Sequence, residues 1–358
     1  MQLKERPRQR SDQVRLRSYR TQGRPAAITA IGTCVPDRVI TNGDLERMVD
    51  TDDAWIRQRT GIRRRHVAEP GTPTFELGAH AAEAALAEAG LRASDVDLLV
   101  VSTSTPDAPF PSTACRIQER LGVPGAPAVD LLAACSGFLY ALNHAQCAIA
   151  AGQAETVLVI GAETLTRYVD WTDRGTCILF GDGAGAAVVR PADRGAGIRS
   201  WCLGADGSGY HYITCGDIPR GAFAAQDHEP KIAMKGPDVF RFATDIFVRL
   251  GYEVAERAGI RPDEIDLWVP HQANARIIEA AAGRMGLPMD RVVVTIDEYG
   301  NNSTATVPIA LEHAVRSGRL RPGMKVLLAG FGAGLTWGAC LLEWEGTPVR
   351  MGTGPATG

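Results

Sequence analysis

Segments of this chain recur at one spacing. AEAGLRASDVDLLVVS (87–102) is echoed by AERAGIRPDEIDLWVPH (255–271), with Gly90 matching Gly259 and Asp97 matching Asp266, both 169 residues apart. The same offset of 169 relates YALNHA (140–145) to IALEHA (309–314) and VLVIG (157–161) to VLLAG (326–330). A period this long exceeds the roughly 20–50 residues of a solenoid unit. It describes two similar halves. Short apolar runs at 97–101, 156–160, 265–269 and 325–329 alternate with Ala-rich segments long enough for helices. Such runs predict strands buried on both faces, hence an α/β protein with helices on either side of each sheet. Two halves of this kind packed together predict a five-layered αβαβα body with equivalent loops around a shared cleft.

With 358 residues, 45% hydrophobic and 22% charged, the chain can bury one or two large cores. Its net charge of -3 hides an asymmetry: residues 1–24 hold eight Lys/Arg against Glu5 and Asp12, a net of +6, which leaves -9 for the rest. That segment has no apolar stretch of the kind a secretory signal needs, and although Arg-rich it matches a transit peptide only weakly. A disordered basic extension over 1–26, or an over-called start, is expected. No run approaches the roughly 18 apolar residues of a membrane span. The eight cysteines form no C-x-x-C pair and no zinc-like spacing with histidine, so neither a disulfide framework nor a metal is expected, and a reducing cytoplasm fits.

Three places could carry chemistry. In DLLAACSGFLYAL (130–142), Cys135 stands where an apolar run meets a helix expected to run from Ser136 until Gly152 stops it. A helix N-terminus there would favour the thiolate and offer N–H donors to an oxyanion, although a small buried thiol is the commoner reason for such a cysteine. VPHQANARI (269–277) sets His271 just past a strand, and YGNNSTATVPIAL (299–311) contains Asn301 in what also reads as a turn. The repeat maps the segment after Asn301 onto the helix after Cys135, so Cys135, His271 and Asn301 could converge. A neutral imidazole and an amide can both donate to one enolate oxygen. FGDGAGAAVV (180–189) imitates a dinucleotide fingerprint, but Val188 and Val189 continue as strand where that motif needs a helix, so it reads as close backbone packing. No nucleic-acid module is recognisable, and the Arg63–Arg65 run reads as a solvated edge.

Together, TNGDLERMVDTDDAWIRQRTGIRRRH, FPSTACRIQERLG, AACSGFLYAL, WTDRGT, ILFGDGAGAAVV, VPHQANARII, YGNNSTATVPIAL and FGAGLTWGA make the sequence resemble the thiolase superfamily, specifically the β-ketoacyl-acyl-carrier-protein synthase III family, over about residues 27–345. The resemblance implies a thiolase-like fold of two duplicated halves, 27–197 with Cys135 and 198–345 with His271 and Asn301, followed by a flexible tail at 346–358. It implies a ping-pong Claisen condensation that initiates type II fatty-acid synthesis. Cys135 would take an acyl group from acyl-CoA, malonyl-acyl-carrier protein would lose CO2, and His271 and Asn301 would hold the enolate.

By the same resemblance, the backbone N–H groups of Cys135 and Ala333 would form the oxyanion hole, where relatives often have Gly at the second position. Trp55 and Arg174, with Thr51 and Arg59 nearby, match residues that bind the CoA nucleotide, although Trp55 also reads as a helix anchor behind a cap at Thr51/Asp52. Asn274 matches a residue reaching the pantetheine arm. Arg276 would meet the carrier protein or simply face solvent. Leu165 and Phe240 would line the acyl pocket, which Phe110 would close across a homodimer interface. No cofactor is implied, since the thioesters carry the activation. Priming enzymes and acyltransferases of polyketide or other secondary pathways share these motifs and are the competing reading. Degradative thiolases bring a second cysteine to the cleft, and Cys340 does not match its setting. Tyr210-His211-Tyr212, Cys202 and Cys215 are departures that could alter the tunnel mouth, and the primer is left unspecified.

Overall fold

The computed structural model describes residues 16–192, 196–216 and 230–346. The chain runs through β1 (Ser18–Arg20), β2 (Ala26–Cys34), β3 (Val39–Thr41), α1 (Asn42–Leu45), α2 (Asp53–Thr60), β4 (Arg64–His66), α3 (Thr74–Ala89), β5 (Leu98–Ser102), α4 (Thr113–Leu121), β6 (Ala128–Leu131), α5 (Gly137–Ala150), β7 (Val157–Thr164) and β8 (Asp182–Pro191). It continues through β9 (Gly197–Ala205), β10 (Ile213–Cys215), β11 (Ile232–Met234), α6 (Gly236–Ala258), β12 (Leu267–Pro270), α7 (Ala275–Met285), α8 (Ile296–Tyr299), α9 (Thr306–Arg316), β13 (Lys325–Gly332) and β14 (Thr336–Glu343).

One five-stranded sheet has the order β2-β8-β7-β5-β6 and the other β1-β9-β14-β13-β12. Leaving β1 aside, the second repeats the first: β9, β14, β13 and β12 stand where β2, β8, β7 and β5 stand, with the same parallel and antiparallel pairings. A parallel bridge from Trp268 to Val292 takes the place of β6. Side chains alternate between the two faces of each strand, and both faces are buried. Val100 and Val159 point into a central layer with Phe138 and Leu142 of α5 and Val307 and Leu311 of α9, while Leu99 and Leu158 meet α3 and α4 on the outside. The second sheet's outer face is covered by α6 and α7. The result is the expected five layers. Helices α3 and α6 end at equivalent glycines, Gly90 (φ 67°) and Gly259 (φ 80°), where the left-handed turn is cheapest without a Cβ.

Three expectations change. Arg65, read as part of a solvated edge, is fully buried, and its guanidinium donates to Asn42 Oδ1 (3.0 Å) and to the Ile178 carbonyl (2.8 Å). Disorder over 1–26 fails for its described part, because Ser18–Arg20 pairs with Ser200–Cys202, the Ser18 hydroxyl donates to Glu253 (2.6 Å) and Arg20 Nε donates to the Arg257 carbonyl (2.6 Å). Composition described the segment's charge but could not show that β9 offered it a free edge. Residues 1–15, and 347–358 of the expected tail, lie outside the described residues. The helix after Cys135 begins at Gly137 and ends at Ala150, with a separate 3-10 turn at Ala134–Ser136. The glycine-rich 180–189 stretch is β8 and its approach, as read: a Cβ on Gly181 would stand 2.7 Å from the Tyr299 carbonyl, and one on Gly185 2.7 Å from Pro308. Among the described residues no helix is long and apolar enough to cross a membrane.

Candidate active site

Two turns at the ends of the central helices build the site. Ala134 (φ 46°), before Cys135, and Ser303 (φ 47°), before Thr304, are the non-glycine residues with positive φ among the described residues, and they are 169 apart. Such a conformation costs of order 1 kcal/mol or more and persists where surrounding bonds over-determine it. Here the Thr336 hydroxyl lies 3.0 Å from the carbonyls of both Ala133 and Ala333 and 2.9 Å from Ser136 Oγ, tying the Cys135 turn to the loop after β13. Gly332 permits that approach, since a Cβ there would lie 2.6 Å from the Cys135 nitrogen.

Cys135, His271 and Asn301 all open on one cavity of about 450 Å³. His271 follows β12, and its N–H donates to the Ala329 carbonyl (2.7 Å). Gln272 behind it donates to the Pro270 (2.8 Å) and Val293 (3.1 Å) carbonyls and accepts from the Thr295 N–H (2.9 Å), so the loop is pinned. His271 Nδ1 lies 2.6 Å from the Thr306 hydroxyl, which is also 2.9 Å from the Ser303 carbonyl. Burial lowers the imidazole pKa to about 3, so it is neutral. The Asn301 backbone is clamped between Leu179 (2.9 Å) and Gly181 (3.1 Å), and its Oδ1 accepts from the Ser303 N–H (2.8 Å). That fixes the amide's orientation: the NH2 group is left for the cavity.

The thiol departs from expectation. Burial pushes Cys135 up to about 12, and the Glu163 carboxylate adds to the rise, against opposing hydrogen bonds from Ser303 and its own backbone. The helix begins two residues later, so its field acts at a distance while the loss of water acts directly on the sulfur. At rest Cys135 is a thiol.

Of the other residues singled out from the sequence, Trp55, Arg59, Leu165, Phe240, Asn274, Arg276 and Ala333 line the same cavity. Arg276 is exposed and has its guanidinium 5.5 Å from the Phe240 ring, at the cavity's edge. Asn274 caps α7 by accepting from the Arg276 N–H (2.9 Å) and donates to the Arg59 carbonyl (3.0 Å). Arg174 lies 5.2 Å over Trp55, and Arg59 5.5 Å from the same ring. Three are not brought to the cavity wall: Arg174 stands behind Trp55, Thr51 has its hydroxyl buried without a partner while Asp52 alone caps α2, and Phe110 is 84% exposed on the outside. Cys340 is buried on β14, away from the cavity. Tyr210–Tyr212 form a 3-10 turn, and Cys215 lines the mouth. Sequence reading missed Ser303, which holds the Asn301 amide, and Thr306, which meets the His271 ring.

Residues 129–207 match the family model 3-oxoacyl-[acyl-carrier-protein] synthase III, and residues 255–344 match the model of that family's C-terminal part. The β-ketoacyl-[acyl-carrier-protein] synthase III of Thioalkalivibrio sulfidiphilus is 49% identical over 323 residues, 89% of this chain and 99% of its own length. This chain belongs to the β-ketoacyl-[acyl-carrier-protein] synthase III family. It is an acyl-transferring condensing enzyme with a thiolase-like fold. The solved synthase III of Thermus thermophilus superposes with a TM-score of 0.85 at 47% identity, covering 90% of this chain and all of the other. A priming β-ketosynthase from the R1128 polyketide pathway has a TM-score of 0.86 at 37% identity, covering 91% of this chain and 98% of its own.

Proposed function

We propose that this synthase III joins an acyl-CoA primer to malonyl-acyl-carrier protein through an acyl-Cys135 intermediate, giving a 3-oxoacyl-carrier protein that initiates fatty-acid synthesis. The reading rests on one observation: Cys135, the neutral His271 and the oriented Asn301 amide open on a single cavity. Cys135 Sγ attacks the acyl-CoA thioester, the N–H groups of Cys135 and Ala333 hold the tetrahedral oxyanion, and its collapse to the acyl-Cys135 carbonyl expels CoA, which carries away the thiol proton. Malonyl thioester then loses CO2. The enolate oxygen accepts from Asn301 Nδ2 and, with the Thr306 proton turned to Nδ1, from His271 Nε2. The enolate carbon attacks the acyl-Cys135 carbonyl and displaces the cysteine.

Trp55, Arg59, Arg174 and Thr51 take the CoA nucleotide, with Arg174 swinging off the Trp55 ring to admit the adenine. Asn274 meets the pantetheine arm, Arg276 the carrier protein, and Leu165 and Phe240 the primer. Phe110 is supplied to the partner's pocket in a homodimer; its 84% exposure, with Leu132 at 75% and Val129 of edge strand β6 at 43%, supports that surface. The thioester supplies the activation, so no cofactor is called for, and the cytoplasm is its place. The two halves are drawn at 27–197 and 198–345. Polyketide priming is less favoured, because the more closely related T. sulfidiphilus protein is a synthase III.

The test is intact-protein mass of wild type and Cys135→Ser after a panel of acyl-CoAs, then a chase with malonyl-acyl-carrier protein. Acylation of wild type alone, discharged as a β-ketoacyl product, is expected. Acylation that the chase leaves untouched would favour an acyltransferase, and no acylation by any primer would end both readings.

A further inference from the structure

Two N–H groups that hold one oxyanion must keep their aim while the carbonyl beside them turns tetrahedral and back. The Cys135 N–H comes from the 3-10 turn before α5 and the Ala333 N–H from the loop between β13 and β14, in opposite halves of the chain. Both residues line the cavity, and among the described residues neither N–H donates to an oxygen. The two segments abut: a Cβ on Gly332 would stand 2.6 Å from the Cys135 nitrogen and 3.2 Å from its Cα. Contact sets how near the peptides come, and it leaves open how each is turned.

Two hydroxyls fix the turning. Thr336 Oγ1 lies 3.0 Å from the carbonyl of Ala333 itself and 3.0 Å from the Ala133 carbonyl, across the strained Ala134 from the Cys135 N–H. The buried Ser136 hydroxyl donates to Thr336 Oγ1 (2.9 Å), which turns the Thr336 proton toward those carbonyls. The loop is built without them: Thr336 pairs through its backbone with Gly332 and Ala205, and Leu335 and Asp206 exchange N–H-to-carbonyl bonds of 2.9 and 2.8 Å. The duplicated turn at 303–305 shows that the strained backbone is also built without them. The residue 169 on from Ser136 is Ala305, and the one that faces Glu163 as Thr336 faces Gly332 is Gly183. Neither has a side-chain donor, so of the two turns only the one beside Cys135 carries the pair.

We propose that Thr336, steadied by Ser136, is a positioning residue of the oxyanion hole: it locks the Ala333 peptide to the Cys135 turn so that both N–H groups aim at one oxygen. The inference rests on the acyl-Cys135 reading. Neither hydroxyl is on the cavity wall, so the pair acts through the two peptides and not on the acyl group. Its effect falls on the tetrahedral states, in acylation and again when the enolate carbon attacks, because the same oxygen takes up charge in both. Loss of CO2 draws on His271 and Asn301 instead. Small errors of aim matter here, since a hydrogen bond weakens steeply as it bends and misplaced donors lose their preference for the transition state.

Thr336→Val keeps the side chain's shape and removes its hydroxyl, Thr336→Ser returns the hydroxyl, and Ser136→Ala removes its support. Each is compared with wild type using the acyl-CoA that labels wild type, carrying a heavy-carbon label at the carbonyl. The readouts are the single-turnover rate of acylation, the infrared stretch of the acyl-Cys135 carbonyl, and CO2 release from malonyl-acyl-carrier protein by the acylated enzyme. Thr336→Val should slow acylation roughly 10–10²-fold and move the carbonyl band to higher frequency, because the bonds to its oxygen weaken. Ser136→Ala should do the same to a smaller extent, Thr336→Ser should return both rate and band most of the way, and CO2 release should fall far less. A carbonyl band that stays in place in Thr336→Val, equal losses in the two half-reactions, or no recovery in Thr336→Ser would overturn the proposal. If Thr336→Val does not fold, Ser136→Ala, which keeps the threonine, decides by the same band. Failure of wild type itself to be acylated would instead overturn the acyl-Cys135 reading, and this inference with it.

Discussion

The two turns at 134–136 and 303–305 share a backbone but not a task. Shifted by 169, Cys135 corresponds to Thr304 and His271 to Ser102, so the cysteine–histidine arrangement has a mirror in the first half made of two hydroxyls. Thr304 Oγ donates to Ser102 Oγ at 3.0 Å, and both are buried. The neighbours differ accordingly. Gly137 stands where Thr306 stands, and a Cβ on it would lie 1.9 Å from Ser102 Oγ; Gly332 stands where Glu163 stands and makes room for the Cys135 nitrogen. One junction is filled by its own side chains, while the other is emptied toward a cavity. Duplication supplied the scaffold twice, and on the proposed function the chemistry comes from breaking the equivalence, with Cys135 from one half and His271 and Asn301 from the other.

The sharpest way to exploit that asymmetry is Asn301→Ala. Removing a donor from the second half should cut condensation roughly 10²–10³-fold while acylation of Cys135 survives, as separate single-turnover assays of the two half-reactions would reveal. Parallel losses in both steps would mean the halves are not divided by task. Gly137→Ala probes the filled junction: its methyl runs into Ser102, and destabilisation of about 2 kcal/mol is expected in chemical denaturation. Ser102→Ala in the same chain, leaving the Ser102 Cβ at 3.1 Å and Thr304 Oγ1 at 3.3 Å, should recover most of it. Failure of that rescue would place the strain elsewhere.

The smallest effect separates two of the buried titratable groups, His271 and Glu163. His271 has its folded pKa depressed from 6.5 to about 3, so below 6.5 the unfolded chain takes a proton the folded one refuses and stability falls with pH. Glu163 runs the other way, raised from 4.5 to about 7, so its contribution is full below 4.5 and is lost as pH rises through 7. Between pH 6.5 and about 5.5, His271→Ala should remove about 1 kcal/mol of acid-side loss, and Glu163→Gln should flatten the neutral side. Denaturation midpoints measured across this range check both slopes.

Much of this was legible in the sequence. The 169-residue offset carries the sheet orders, and it brings Cys135, His271 and Asn301 together because equivalent strand ends must face one another. Glu163 left a readable mark, a carboxylate directly after the apolar run VLVIGA, where such residues are almost never buried unpaired. The direction of the Cys135 shift depends on how tightly the sulfur is enclosed, a quantity of packing and not of spacing. Thr51 illustrates the same boundary: motif position placed it beside the site, but where its hydroxyl ends up is decided by the packing around it.

The cavity's wide walls have a different origin from its chemistry. They come from segments at matching places in the two halves: 35–73 supplies Trp55, Arg59 and Thr60, while the described parts of 206–235 supply Ile213, Cys215 and Met234. Neither segment holds Cys135, His271 or Asn301. Variation in such a lineage therefore has two independent registers, so that primer preference can drift through these lateral segments, by insertion or exchange, while the reaction itself is inherited unchanged.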